Sequence, residues 1–212
     1  TVATTFQESP SSGYQQRTMV NASADATIAI AVDFSSAGEI LTKNSVKRQR
    51  KVYMPIDANN LVVTEYRINT IVDKLNSIDK ESITLNIAGN GIYTMRGKYT
   101  QEQVDTFTYE LLKGVIESPN LTKTISLIRS GGQTGFDEAG VKAGNKLGIP
   151  TLVLAPKGWK FRDITGADIQ NEAMFKARFN AEIQPTIDTQ TSIDFNNESE
   201  YPNDAMNNCK GK

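Results

Sequence analysis

Between residues 24 and 180, short runs of β-branched residues alternate with helical patterns, and this alternation constrains the fold more than any other feature of the sequence. It is typical of βαβ units, in which helices cover both faces of a parallel sheet. The expected fold class is therefore α/β, a Rossmann-like, doubly wound and mostly parallel sheet of five or more strands with helices on both faces. Strands are predicted at Thr27–Val32, Lys51–Ile56, Ser82–Ala88, Thr124–Ile128 and Pro150–Ala155, and helices at residues 36–49, 63–79, 100–117, 134–147 and 168–178.

Local signals place two helix starts and the domain boundary. Ser36 with Glu39, and Thr100 with Gln103, have the spacing of a capping box. A chain of 212 residues is long enough for one full core. We expect residues 1–180 to form a single domain, followed at 181–212 by a polar, acidic C-terminal tail without helical periodicity.

Composition argues against several classes of function. The 23 basic and 24 acidic residues nearly balance, which makes nucleic acid an unlikely partner. The chain has no histidine, and its single cysteine is Cys209, so a Ser-His-Asp triad and a His- or Cys-rich metal site are excluded. We expect neither a metal nor a cofactor. No apolar run is long enough to cross a bilayer and no secretory signal is evident, which predicts a cytoplasmic protein without membrane contact.

The loops that follow three predicted strands carry the candidate binding residues, because ligands of open parallel sheets bind at the carboxyl ends of the strands. A glycine-rich turn leading into a helix lets backbone amides approach a phosphate. As a structural alternative, each loop is a tight turn with a capping hydroxyl. The candidates are Ser130, Gly131, Gly132, Gln133, Thr134 and Gly135 after the fourth strand; Gly89, Asn90, Gly91 and Tyr93 after the third; and Asp33, Phe34, Ser35 and Ser36 after the first.

Charged residues near these loops are weaker candidates. Asp137 and Glu138 are possible catalytic carboxylates, but both fall in a predicted first helical turn, where the helix dipole favours acidic residues without catalysis. Glu39 also falls in a predicted first helical turn, where the helix dipole alone explains an acidic residue. Lys157 and Arg162 follow the last strand and are positioned to meet a phosphate, or else form a solvated basic loop.

Several motifs resemble the putative molybdenum-cofactor carrier proteins of the SLOG superfamily of Rossmann-like nucleotide binders. SGGQTGFD at 130–137, with LGIP at 147–150 and APKG at 155–158, is similar to the N-terminal half of that family. The segments around Tyr14–Thr18, residues 25–28 and LNIAGNGIY at 85–93 are similar to its C-terminal half. The chain thus resembles a circular permutation of the family, and it is also similar to uncharacterised bacteriophage-encoded proteins.

The resemblance implies binding of a nucleotide-like small molecule, adds Arg17 to the candidate ligand contacts, and suggests a homo-oligomer. SLOG relatives include LOG-type phosphoribohydrolases, whose PGGxGTxxE motif carries a catalytic Glu. Here the motif lacks the Pro and has Thr134 before Gly135. Whether the chain is an enzyme stays open, with binding favoured.

Three functions remain open on this basis. The first is a phage protein that sequesters an ADP-ribose-type or cyclic-nucleotide immune signal in the host cytoplasm without cleaving it. The second is a LOG-like N-glycosidic hydrolase. The third is a virion or packaged structural protein.

Overall fold

The structure of the chain, a computed structural model, describes residues 3–184, so the predicted tail beyond 184, with Cys209, lies outside the described residues. The strands are β1 (Thr4–Glu8), β2 (Ala26–Ala31), β3 (Val52–Asp57), β4 (Ser82–Gly89), β5 (Thr124–Ser130), β6 (Thr151–Ala155), β7 (Lys160–Arg162) and β8 (Asp168–Gln170). The helices are α1 (Tyr14–Asn21), α2 (Ala37–Arg48), α3 (Glu65–Asn76), α4 (Gln101–Ile116), α5 (Phe136–Lys146) and α6 (Glu172–Ala177), followed by a 3-10 turn at Arg178–Asn180.

Six strands form one sheet in the order β1-β6-β5-β4-β2-β3, and all of its pairs are parallel. Right-handed crossovers between these strands put α1 and α2 on one face and α3, α4 and α5 on the other. The prediction of a doubly wound α/β sheet with helices on both faces is confirmed. The strand order reverses between β2 and β4, which is where a fold of this kind opens a crevice.

The two faces of the central strands differ in side-chain size. Ile28, Ile30, Leu85 and Ile87 are fully buried, and Ile87 meets Gly140 of α5 so closely that a Cβ there would lie 2.5 Å away. Alternate residues of a strand point to the opposite face. On that face, Thr27 pairs in register with Asn86 and Ala29 with Ala88. Small and polar side chains therefore leave space between the sheet and helices α1 and α2.

Several local predictions were wrong. β1 and α1 were not predicted, and the helix expected at 168–178 begins at Glu172 because Asp168–Gln170 forms β8 instead. The capping box at Thr100 is present, whereas Ser36 caps α2 without a side-chain hydrogen bond. The Glu39 side chain is buried beneath α2 and does not return to the Ser36 backbone. Within residues 3–184, no helix combines the length and apolar character that a bilayer crossing requires.

Candidate ligand-binding crevice

The three predicted loops meet at the carboxyl edge of the sheet, and Asn90 joins them. Its side-chain Oδ1 accepts hydrogen bonds from the amides of Val32 (2.8 Å) and Asp33 (3.2 Å). Its backbone oxygen accepts a hydrogen bond from the Phe136 amide at 3.3 Å. Gly135 approaches the same oxygen so closely, at a φ of 81°, that a Cβ on it would lie 2.2 Å away. The loops after β2, β4 and β5 are thus held together as one unit.

Much of the glycine-rich turn after β5 is satisfied by the protein itself. The Gly132 amide donates to Ser130 Oγ at 3.1 Å, and the Gly135 amide donates to Gln101 Oε1 at 2.7 Å. The Gln133 amide donates to Asp137 Oδ2 at 3.4 Å. The turn is therefore organised in part around the Asp137 carboxylate. Some of the backbone amides that the sequence predicted to bind a phosphate therefore already donate hydrogen bonds within the protein.

A deep polar cleft lies below these loops, between α1, α2 and β4, and has a volume of about 40 Å³. Its polar walls come from Arg17 and Asn21 of α1, Glu39 of α2, Asn86 of β4, and Asp137. Each of these side chains is at least nine-tenths buried. Its remaining lining residues are Tyr14, Thr18, Gly38, Thr42, Ala88, Gly89, Gly131 and Gln133.

The cleft collects polar atoms that have no hydrogen-bond partner in the described part of the chain. Six buried side-chain nitrogen or oxygen atoms lack one among residues 3–184. Four of the six belong to residues lining the cleft: Arg17 Nε, Asn21 Oδ1, Glu39 Oε2 and Asn86 Oδ1. Because an unpaired buried polar atom is costly, such a cluster indicates a place built to receive a polar group.

Two carboxyl groups in the cleft have strongly raised pKa values. Burial raises the pKa of Glu39 to about 8, and the negative charges of Asp137 and Asp33 act in the same direction. Burial also raises the pKa of Asp137 to about 7, against the opposing effects of the Gln133 amide and the Arg17 charge. Near neutral pH both groups exchange protons readily, a property that clusters at functional sites.

The cleft opens into a wider crevice of about 410 Å³ with a basic rim. Arg17, Lys157, Lys160 and Arg162 line this crevice together with a single carboxylate, Asp168. Lys160 and Arg162 both contact Asp168, at 2.8 and 2.9 Å. Four cations against one anion make this rim favourable for a phosphate group. The crevice also includes the candidates Gly89, Gly91, Tyr93, Gln133 and Thr134.

Other predicted site residues lie elsewhere or support the loops. Asp33, Phe34 and Ser35 line neither the cleft nor the crevice; Asp33 instead accepts hydrogen bonds from the Ser35 amide and hydroxyl at 2.8 and 2.6 Å. Ser36 lines a shallow depression beside the cleft, shared with Asn90 and Gly91. Ser130 is fully buried, and its hydroxyl donates to the Asp137 carbonyl at 2.9 Å.

Glu138 is held in a buried ionic network and does not line the cleft or the crevice. Its carboxylate contacts Lys142 at 2.6 Å and Arg178 at 2.7 Å. Lys142 also contacts Asp105 at 2.8 Å. Arg178 further donates to the Gly132 carbonyl at 2.7 Å. This network joins α4, α5 and the final 3-10 turn, which is a structural role for Glu138.

Among the polar cleft residues that sequence reasoning missed are Tyr14, Asn21, Glu39 and Asn86. Tyr14, Asn21 and Glu39 gave no distinct signal, since two belong to an unpredicted helix and Glu39 had the alternative explanation of a helix-dipole residue. Asn86 did give a signal in the sequence, because burying a side-chain amide within an otherwise apolar strand is costly unless the amide has a hydrogen-bond partner.

Comparisons with protein-family models, curated proteins and solved structures find no match for this chain. Among residues 3–184, no three His, Cys, Asp or Glu side chains are grouped so as to hold a metal ion.

Proposed function

We propose that this chain binds a nucleotide-derived, phosphate-bearing ligand of the ADP-ribose or cyclic-nucleotide type in the crevice and its cleft. The observation that carries the proposal is a cluster of four unpaired buried polar atoms that opens directly onto a basic rim. The position agrees with the topological switch point, where doubly wound sheets bind nucleotides. The resemblance to SLOG proteins supports the same ligand class.

The phosphate groups belong at the crevice rim in this proposal. Arg17 lines both cavities, and the exposed Lys157 lines the crevice, so both side chains offer positive charge there. Because parts of the glycine-rich turn are satisfied internally, these cations contribute more to anion binding than the backbone amides do. The glycines serve mainly to let the loops approach one another.

Binding without cleavage is the favoured form of the proposal. The LOG-like alternative had Glu138 or Asp137 assist cleavage, and the Glu138 carboxylate is engaged by Lys142 and Arg178. One observation keeps a hydrolase as the second candidate: Asp137 lines the cleft with a pKa of about 7, which suits a general acid or base. In a phage-infected cell, a binder of this kind would remove a nucleotide immune signal from circulation.

The experiment is incubation of the protein with ADP-ribose and with cyclic ADP-ribose, followed by removal of unbound ligand, heating and mass spectrometry. A sequestering protein releases the same molecule that it bound, in near-stoichiometric amount. Free adenine with a diphosphate-linked pair of riboses, or ADP-ribose formed from cyclic ADP-ribose, in the unbound fraction would replace sequestration by hydrolysis. Unchanged ligand in the unbound fraction and none on the protein, with the protein folded by circular dichroism, would contradict both forms.

A further inference from the structure

The unpaired atoms of the cleft are mostly acceptors. Asn21 Oδ1, Asn86 Oδ1 and Glu39 Oε2 lack hydrogen-bond donors within residues 3–184, and Arg17 Nε is the unpaired donor beside them. Asn86 Nδ2 donates to Thr27 Oγ1 at 3.3 Å, and Asn86 Oδ1 is left without a donor among the described residues. The two asparagine oxygens therefore suit a group that offers N–H bonds, and Arg17 Nε suits a group that offers an acceptor. The Glu39 carboxyl can donate or accept, because burial raises its pKa to about 8.

We infer that the cleft is a base subsite, which binds the amino-bearing edge of an adenine-type nucleobase; the inference rests on the proposed function. An exocyclic amino group supplies one N–H donor to each of the two asparagine oxygens. The adjacent ring nitrogen accepts a hydrogen bond from Arg17 Nε. A base with an oxo group at the same position places an acceptor against acceptors and leaves them unsatisfied.

The dimensions of the cleft fit an edge of a base and not a whole nucleotide. A volume of 40 Å³ holds about three water molecules. Two of its lining residues lie close together, since a Cβ on Gly38 would lie 3.4 Å from Tyr14 Oη. The rest of the base and its ribose then occupy the crevice, which puts the phosphates within reach of Lys157.

Isothermal titration of the full chain with ADP-ribose and with its 6-oxo counterpart, inosine diphosphate ribose, tests this inference without altering the protein. We expect ADP-ribose to bind at least about tenfold more tightly, because the oxo analogue leaves buried acceptors unpaired. Equal affinity for both ligands would overturn the base subsite while leaving the proposed function intact. Failure of both ligands to bind would overturn the proposed function itself.

A substitution in the cleft then tests whether the preference for ADP-ribose over inosine diphosphate ribose arises there. Asn21→Leu keeps the side-chain size and removes one acceptor from the cleft, and Asn60→Leu changes an exposed turn residue as the matched control. In Asn21→Leu the preference for ADP-ribose should shrink about fivefold or more, with the affinity for inosine diphosphate ribose nearly unchanged. A preference that persists undiminished in Asn21→Leu would place the base elsewhere.

Discussion

Glu39 and Asp137 reach the same buried cleft from the first turns of two helices that lie on opposite faces of the sheet. Burial is the largest cause of the raised pKa of both carboxyl groups, and the negative charge of Asp137 raises the pKa of Glu39 further. A carboxyl group in a first helical turn is ordinarily stabilised in its charged form by the helix dipole. Here burial outweighs the dipole, which makes the pair sensitive to pH.

Glu39→Gln should make the protein more stable at alkaline pH. The pKa of Glu39 rises from 4.5 in the unfolded chain to about 8, so the folded state holds the proton more tightly and loses stability as the pH rises from 4.5 to 8. A tenfold difference in proton affinity between the two states corresponds to about 1.4 kcal/mol, and we expect a gain of about 2–5 kcal/mol in the free energy of unfolding at a pH of about 8.5. Denaturant unfolding measures it. Glu102→Gln, an exposed first-turn residue of α4, is the control, and equal effects of both variants would contradict burial as the cause.

Asp137 should make ligand affinity depend on pH. Its pKa of about 7 means that the group becomes charged as the pH rises through neutrality, and the added negative charge in the cleft repels the ligand phosphates at the adjoining crevice rim. ADP-ribose affinity should therefore fall several-fold between pH 6 and pH 8. In Asp137→Asn this part of the dependence should disappear, whereas the exposed Asp73→Asn should keep it. A pH profile shared by all three proteins would show that Asp137 does not face the ligand.

Glu138→Ala should weaken folding and spare binding. Removing one member of a buried ionic network costs about 3–5 kcal/mol, because Lys142 and Arg178 lose a buried partner. Glu172→Ala, which breaks the exposed pair with Lys176, should cost at most about 1 kcal/mol. Thermal unfolding compares the two. Loss of ligand affinity in the folded Glu138→Ala protein would contradict a purely structural role and would indicate that Glu138 takes part in binding.

Gly135→Ala tests whether the loops must touch. At this position φ is positive and a Cβ would lie 2.2 Å from the Asn90 oxygen, so the loops after β4 and β5 have to separate. Gly97 also has a positive φ, but nothing lies within 4 Å of its Cβ position. We expect Gly97→Ala to cost about 1 kcal/mol for strain and Gly135→Ala clearly more. Equal losses of unfolding free energy would mean that the contact does not matter.

The sequence predicted five of the six strands of the main sheet and missed β1, β7, β8 and α1. β2 is buried throughout, β4 and β5 are buried in part, and all three are rich in β-branched residues, so composition alone identifies them. β1 has one large apolar residue, Phe6, and depends on pairing with β6 for its stability. α1 places its apolar Met19 and Val20 toward solvent and buries Arg17 and Asn21, which reverses the usual helical pattern.

The candidate site was likewise predicted in part. The glycine-rich loops were placed correctly at one edge because the carboxyl ends of parallel strands lie at the same edge of a sheet. The close approach of Gly135 to the Asn90 oxygen shows that the loops meet there. The cleft below was not predicted, because its walls come from α1, α2 and β4, and only tertiary packing brings Asn21, Glu39 and Asn86 together. No local pattern encodes that contact.

The most direct test of the proposed binding site is titration of ADP-ribose into the wild-type chain and into Arg17→Gln. Arg17 is 5% exposed, lines both cavities, and offers the unpaired donor of the cleft. We predict saturable binding to the wild type and an affinity at least about tenfold lower for Arg17→Gln, since losing a hydrogen bond to a charged group costs about 1.5–3 kcal/mol. Unchanged affinity in the folded variant, or no binding to the wild type, would contradict the crevice as the ligand site.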